Sequence, residues 1–212
     1  FKQAVIDWYA RRRGVVGLTP EQVMPTIGSK ELISWLPILL GIGPGDVIVQ
    51  PTVAYTAYVV GAALAGAEII SEDDPAKWPS STKLVWLNSP GNPDGRILEA
   101  HEMKAAVDRG RELGALVASD ECYIELGWDA TPVSVLHPEV CGADHAGLLA
   151  LHSLSKRSSM AGFRFGFIAG DPAQAPARRH PPAHRRHRRP ARAGCLPGTA
   201  AGSSCAARQQ RS

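Results

Sequence analysis

Ala115-Leu116-Val117-Ala118-Ser119-Asp120-Glu121-Cys122-Tyr123 is an apolar run that ends in an acid and, three residues further on, a phenol. Upstream, Glu99–Leu113 carries a helical pattern. Before that, Lys83-Leu84-Val85-Trp86-Leu87-Asn88 is a second apolar run, and it empties into Ser89-Pro90-Gly91-Asn92-Pro93-Asp94-Gly95, a loop dense in turn residues. Strand, helix and strand in that order read as a crossover unit of a parallel sheet. Ligands of such sheets bind outside the carboxyl ends of the strands, where Asn92, Asp120 and Tyr123 fall.

The alternation continues in both directions. Helix to Arg13, strand Val23–Ile27, helix Lys30–Leu40, strand Val47–Gln50, helix Ala57–Ala65 and strand Glu68–Ser71 precede a linker at Asp73–Ser81. After the strands at Leu84–Asn88 and Ala115–Ser119, two more are expected near Leu148–Leu151 and Phe165–Ala169. The pattern predicts an α/β fold, a largely parallel sheet with helices on both faces. Gly41, Gly43 and Gly45 follow a helix and precede a strand, the reverse of a dinucleotide-binding loop, and so read as turn glycines.

The last apolar run delivers Ser153-Leu154-Ser155-Lys156-Arg157, with Arg164 eight residues beyond the lysine. This combination suits a pyridoxal phosphate anchor. The cofactor's aldehyde needs an amine, supplied by Lys156. Its phosphate dianion needs charge-assisted hydrogen bonds, supplied by the Ser153 hydroxyl and the Arg164 guanidinium. A lone Ser-x-Ser-Lys is more often an exposed loop lysine beside a solvated arginine. Here two further segments precede it in consistent order.

On these motifs the chain resembles the class I/II aminotransferases of the fold-type-I pyridoxal-phosphate family, over residues 1 to 171. Gly28-Ser29-Lys30-Glu31, Ser119-Asp120-Glu121-Cys122-Tyr123, Gly127-Trp128-Asp129-Ala130 and Ser134-Val135-Leu136-His137-Pro138 most resemble the actinobacterial succinyldiaminopimelate aminotransferases. The resemblance implies a three-layer large domain and roles for nine residues. Lys156 holds the cofactor, is displaced by the substrate amine, and then moves a proton between the substrate α-carbon and the cofactor carbon. Asp120 pairs with the protonated pyridine nitrogen, Asn92 and Tyr123 hydrogen-bond the phenolic oxygen, and Tyr55 lies against the ring. The phosphate meets Ser153, Arg164 and the Ser29 and Lys30 backbone at a helix start, where unpaired N–H groups favour an anion. Taken one at a time, Asp120 could be a helix cap, Tyr55 core and Asn92 a turn former. The chain departs from the family pattern at Asp94, where threonine is usual, and at Thr56, where a proline commonly follows the stacking aromatic. Neither change removes a cofactor contact.

Charge is unevenly spread. The 212-residue chain has a formal net charge of +3, but residues 172–212 hold nine arginines and no Asp, Glu or Lys, which leaves −6 for residues 1–171. The tail contains only Leu196 from the large aliphatic and aromatic set, so it is expected to be disordered. Its Arg/Pro/Ala/His composition reads as out-of-frame translation of a GC-rich gene, with an evolved basic tail for nucleic acid as the alternative. His180, His184 and His187 sit among arginines that repel a metal cation. At the other end Phe1, Val5, Trp8 and Tyr9 already follow a helical stripe, so the chain is expected to begin inside an element, and the family's C-terminal small domain is expected to be missing. A short chain of this kind is expected to turn over poorly, because the family's substrate-carboxylate arginine lies in that domain.

Cys122, Cys141, Cys195 and Cys205 show neither metal-ligand nor disulfide spacing, which fits reduced thiols in the cytoplasm. No signal peptide or membrane span is visible, and no nucleic-acid or membrane partner is expected. The resemblance implies an amino acid donor, N-succinyl-LL-2,6-diaminopimelate, with 2-oxoglutarate as acceptor, in lysine and diaminopimelate biosynthesis, and a homodimer when full length. Rival readings are another fold-type-I enzyme (a lyase, decarboxylase or acyltransferase) and a noncatalytic remnant.

Overall fold

The computed structural model describes residues 1–174. A seven-stranded sheet forms its centre: β1 (Val23–Thr26), β2 (Val47–Gln50), β3 (Glu68–Ser71), β4 (Thr82–Asn88), β5 (Leu116–Asp120), β6 (Leu148–Ser153) and β7 (Gly166–Gly170). The spatial order is β1-β7-β6-β5-β4-β2-β3. Strands β3, β2, β4, β5 and β6 pair in parallel, whereas β7 is antiparallel to both β6 and β1. Expectations for residues 175–212, including the arginine-rich tail, its three histidines, Cys195 and Cys205, lie outside the described residues.

Side chains alternate across each strand, so both faces are apolar and both are covered. In β4, Val85 and Leu87 join one core with Val49, Val117, Ala150 and Phe167. Helices α1 (Lys2–Arg13) and α4 (Ala100–Leu113) close this face through Val5, Tyr9, Met103 and Val107. Leu84 and Trp86 point the other way, into a second core with Ile48, Ala118 and Leu151. There α2 (Ser29–Leu39) and α3 (Ala57–Ala65) supply Ile33, Leu36, Tyr58 and Ala62. Each fully buried Val, Leu or Ile contributes about 1.5–3 kcal/mol. The result is the three-layer α/β fold that the alternation predicts.

The helix ends follow from their residues. Helix α1 stops at Gly14, whose φ of 64° is left-handed, with Arg11, Arg12 and Arg13 facing the negative end of the helix dipole. Helix α4 buries Met103, Ala106, Val107 and Gly110. A Cβ at Gly110 would sit 2.4 Å from a Val117 methyl, so glycine there lets α4 approach β5.

Several element bounds shift by one or two residues from the expected pattern, and two connections differ from it. Strand β5 runs one residue later than expected and ends on Asp120 itself. The linker after β3 contains a 3-10 turn over Pro75–Lys77. The direction of β7 follows from its connection: residues 154–165 form short turns, α6 (Leu154–Arg157) and a 3-10 turn at Ala161–Phe163, and no crossover helix. Without a crossover the chain returns antiparallel. One more short helix, α5 (Pro138–Cys141), precedes β6.

Candidate active site

A cleft of about 270 Å³ opens at the carboxyl ends of β4, β5 and β6. It is lined by Ser29, Lys30, Tyr55, Asn92, Asp120, Tyr123, Ser153, Lys156 and Arg164, all nine residues that the sequence singles out, together with Cys122, Ser155 and Ala161.

Asp120 is the buried anchor of this cleft, 5% exposed at the tip of β5. One carboxylate oxygen accepts from the Cys122 N–H at 3.2 Å and the other from the Tyr58 hydroxyl at 3.3 Å. Burial pushes its pKa up, and these hydrogen bonds only partly pull it back. Among the described residues no cation lies within ion-pair distance of it. Tyr58 is itself fixed, stacked on Trp86 with centroids 4.8 Å apart, and Tyr55 meets it edge-on at 6.0 Å. The Tyr55 hydroxyl is pushed up by burial and by the Asp120 charge.

Two residues that sequence reasoning passed over set the geometry. Asn88, the last residue of β4, donates to the Asp120 carbonyl at 2.9 Å, and its side-chain oxygen accepts from the Asn92 N–H at 2.8 Å. It therefore couples the 89–95 loop to the neighbouring strand tip. The local signal was an asparagine at the end of an apolar run; its partner lies 32 residues away and is visible only in the fold. Cys122 packs its sulfur 3.1 Å from the Ser29 hydroxyl, tying β5 to the start of α2, and burial raises its thiol pKa strongly.

Helix α2 opens on the cleft at Ser29, and its first-turn N–H groups have no partners within the helix. Gly28 precedes it with φ 75°, and a Cβ there would sit 2.4 Å from the Arg164 guanidinium. Arg164 therefore lies over the helix start. Its backbone is left-handed (φ 49°), and its Nη1 donates to the Ala161 carbonyl at 3.1 Å. Opposite, the Ser153 hydroxyl accepts from the Ser155 N–H at 3.1 Å and donates to the Ser155 hydroxyl at 2.9 Å. Ser153 thus caps the turn that carries Lys156, and Ser155 adds a second hydroxyl. The Lys156 Nζ is 5.9 Å from the centre of the Tyr123 ring.

The donor set fits pyridoxal phosphate. Its anionic end matches a helix start flanked by a guanidinium and hydroxyls. A protonated ring nitrogen would suit the buried Asp120, which has no cation within ion-pair distance among the described residues.

A larger cleft, about 390 Å³, lies between the β2 and β4 tips and α4, and none of the nine site residues reaches it. Arg96 in it already pairs with Glu102 at 2.6 Å, and the His101 ring lies 3.1 Å from the Glu99 carboxylate. No group of three or more metal-ligating side chains occurs among the described residues. No described helix is long and apolar enough to cross a membrane.

The comparisons agree with this geometry. The family model for aminotransferase class I and II matches residues 1–207. A probable aminotransferase of Mycobacterium tuberculosis is 53% identical over 171 residues, 80% of this chain and 41% of its own length. The 4-dedimethylamino-4-oxo-anhydrotetracycline transaminase of Streptomyces rimosus is 50% identical over 173 residues, 81% of this chain and 48% of its own. A probable N-succinyldiaminopimelate aminotransferase of Thermus thermophilus superposes with a TM-score of 0.73 at 28% identity, covering 82% of this chain and 49% of that structure. The chain thus spans about two-fifths to half of the length of the relatives it matches. Family model, relatives and cleft coincide: the chain belongs to the class I and II aminotransferases, a family dependent on pyridoxal phosphate.

Proposed function

We propose that this chain carries the cofactor-binding part of a transaminase that moves an amino group between an amino acid and 2-oxoglutarate. The observation that supports this most is the convergence of nine residues from six separate segments on one cleft, with Lys156 and Asp120 both on its lining. When bound, pyridoxal phosphate supplies an electron-withdrawing ring that stabilises negative charge at the substrate α-carbon.

The chain's residues divide the remaining work. Lys156 holds the cofactor through its ε-amine and, once released, carries the proton from the substrate α-carbon. Asp120, buried and with no ion-pair partner among the described residues, would keep the ring nitrogen protonated. Asn92 and Tyr123 would hydrogen-bond the phenolic oxygen, and Tyr55 would lie against the ring face. Ser29, Lys30, Ser153 and Arg164 bind the phosphate. The donor we propose is N-succinyl-LL-2,6-diaminopimelate, in cytoplasmic lysine and diaminopimelate biosynthesis. The reading is supported by the resemblance to that group in the 119–138 region and by the Thermus thermophilus structural neighbour. The working form proposed is a homodimer.

Borohydride reduction of the protein loaded with pyridoxal phosphate should fix the label on Lys156, located by peptide mapping. Label retained in Lys156→Ala, or mapped to Lys30 or Lys104, overturns the reading. A coupled assay with 2-oxoglutarate, N-succinyl-LL-2,6-diaminopimelate and a panel of other amino acids tests the donor. Turnover with the panel but not with the succinylated donor would refute that assignment.

A further inference from the structure

Helix α6 is four residues long and cannot hold its own geometry, since a single helical turn is far below the length at which helices are stable in water. Something outside it must fix the direction of Lys156. The side chain adjacent in sequence, Arg157, provides the link: its guanidinium carbon lies 4.5 Å from the centre of the Trp8 ring, on α1. Trp8 is held in turn. Its indole N–H donates to Glu125 Oε1 at 3.1 Å, and Glu125 also takes ion pairs from Arg13 at 3.1 Å and Arg12 at 3.4 Å. The Trp8 ring also meets His152 edge to face at 4.9 Å, and His152 is the residue before Ser153, the cap of α6. His152 accepts the Ser153 N–H on Nδ1 at 3.1 Å and stacks on Phe167 at 5.1 Å. From one side chain of α1, contacts therefore run to both ends of the turn that carries the lysine.

We propose that Trp8 and Arg157 are positioning residues for Lys156: α1 acts as a brace that aims the lysine into the cleft. Neither residue lines the cleft. The brace also accounts for an arginine next to the lysine. A cation over an indole face is attracted by the ring, and its long stem spans from α6 to α1. The inference rests on Lys156 being the cofactor-holding amine.

The test uses the 212-residue chain, pyridoxal phosphate and borohydride, with the rate of label fixation on Lys156 read by peptide mapping. Arg157→Met keeps the stem and removes the charge, Arg157→Lys keeps a cation, and Trp8→Leu removes the ring. The visible circular dichroism of the bound cofactor is recorded for each variant. Arg157→Met and Trp8→Leu should slow fixation by about three- to tenfold and weaken the dichroic band, while Arg157→Lys should recover most of both. Far-ultraviolet circular dichroism and the urea midpoint should not change in Arg157→Met or Arg157→Lys, which distinguishes loss of aim from loss of fold. Should Trp8→Leu fail to fold, Arg157→Met and its lysine rescue decide alone. Unchanged fixation and dichroism in Arg157→Met would overturn the brace. Absence of Lys156 label in the unaltered chain would overturn the functional reading and the brace with it.

Discussion

Asp120 and Glu121 are consecutive acids on opposite sides of the sheet, and their surroundings could hardly differ more. Asp120 faces the open cleft with two neutral hydrogen-bond donors and, among the described residues, no cation within ion-pair distance. Glu121 is fully enclosed on the α1 side, where it accepts from the Val135 N–H at 2.8 Å, the Ser134 hydroxyl at 3.0 Å and the Tyr9 hydroxyl at 3.4 Å. Burial raises both pKa values, that of Glu121 to about 7. One acid is left short of a partner at an opening, and the other is satisfied where nothing can enter. The difference separates a group available to a ligand from a group that holds the fold, although side by side in the sequence the two look equivalent.

The largest expected effect breaks this pair apart. In a protein extended to the full length of its relatives, Asp120→Asn should slow single-turnover amine transfer from an amino acid donor by on the order of a hundredfold, with cofactor still bound, because the proposed partner of the ring nitrogen loses its charge. Glu121→Gln should cost less than about tenfold in the same assay. Equal losses in the two variants would refute the division of roles.

Next in size is stability against pH, read from urea midpoints. Glu121 is an acid whose folded pKa, about 7, is raised from an ordinary 4.5. Between those values the folded chain binds the extra proton, so its contribution is present below pH 4.5 and is lost as pH rises through 7. The loss is on the order of 3 kcal/mol. His152, fully buried, has a pKa pushed down by burial to about 3 from 6.5. In that window the unfolded chain binds more protons, so stability rises with pH. The two opposed slopes overlap between about pH 4.5 and 6.5 and flatten the natural profile. Glu121→Gln should unmask a rise up to pH 6.5; a profile as flat as the natural one would show that Glu121 does not titrate there.

A smaller effect is expected at the phosphate end. Gly28→Ala forces alanine to φ 75° and ψ 167°, a region essentially reserved for glycine, which costs about 1–3 kcal/mol, and pushes the Arg164 guanidinium away from the start of α2. Affinity for pyridoxal phosphate should fall by about tenfold, measured by fluorescence titration, with a smaller change for pyridoxal lacking the phosphate. Equal losses for both ligands would separate Gly28 and Arg164 from phosphate binding. Smallest is Tyr58→Phe, which removes one neutral hydrogen bond from Asp120, worth about 1 kcal/mol. Without it the Asp120 pKa rises further, so the acid limb of the pH profile for amine transfer should move to higher pH. An unmoved limb would mean that Tyr58 is only a packing residue.

Much of this protein was decided by the sequence itself. Alternation along Leu84–Asn88 and Leu116–Asp120, the helical spacing of Met103, Ala106, Val107 and Gly110, and the cation-then-glycine end of α1 are local patterns. Periods of 2 and 3.6 express backbone geometry that neighbouring residues impose on one another. The same locality makes the tips of strands legible, so Asp120 and Tyr123 stand out by position, whereas Lys156 stands out by its Ser-x-Ser-Lys motif and Asn92 by the family resemblance. The tertiary structure alone decided the antiparallel return of β7, the coupling of two strand tips by Asn88, and the opposite fates of Asp120 and Glu121. It also decided the contact of Trp8 with Glu125, 117 residues away. These depend on which side of a strand meets which layer and on what packs there. No spacing along the chain encodes such contacts, because they form only when the sheet has closed its order and the helices have covered its faces.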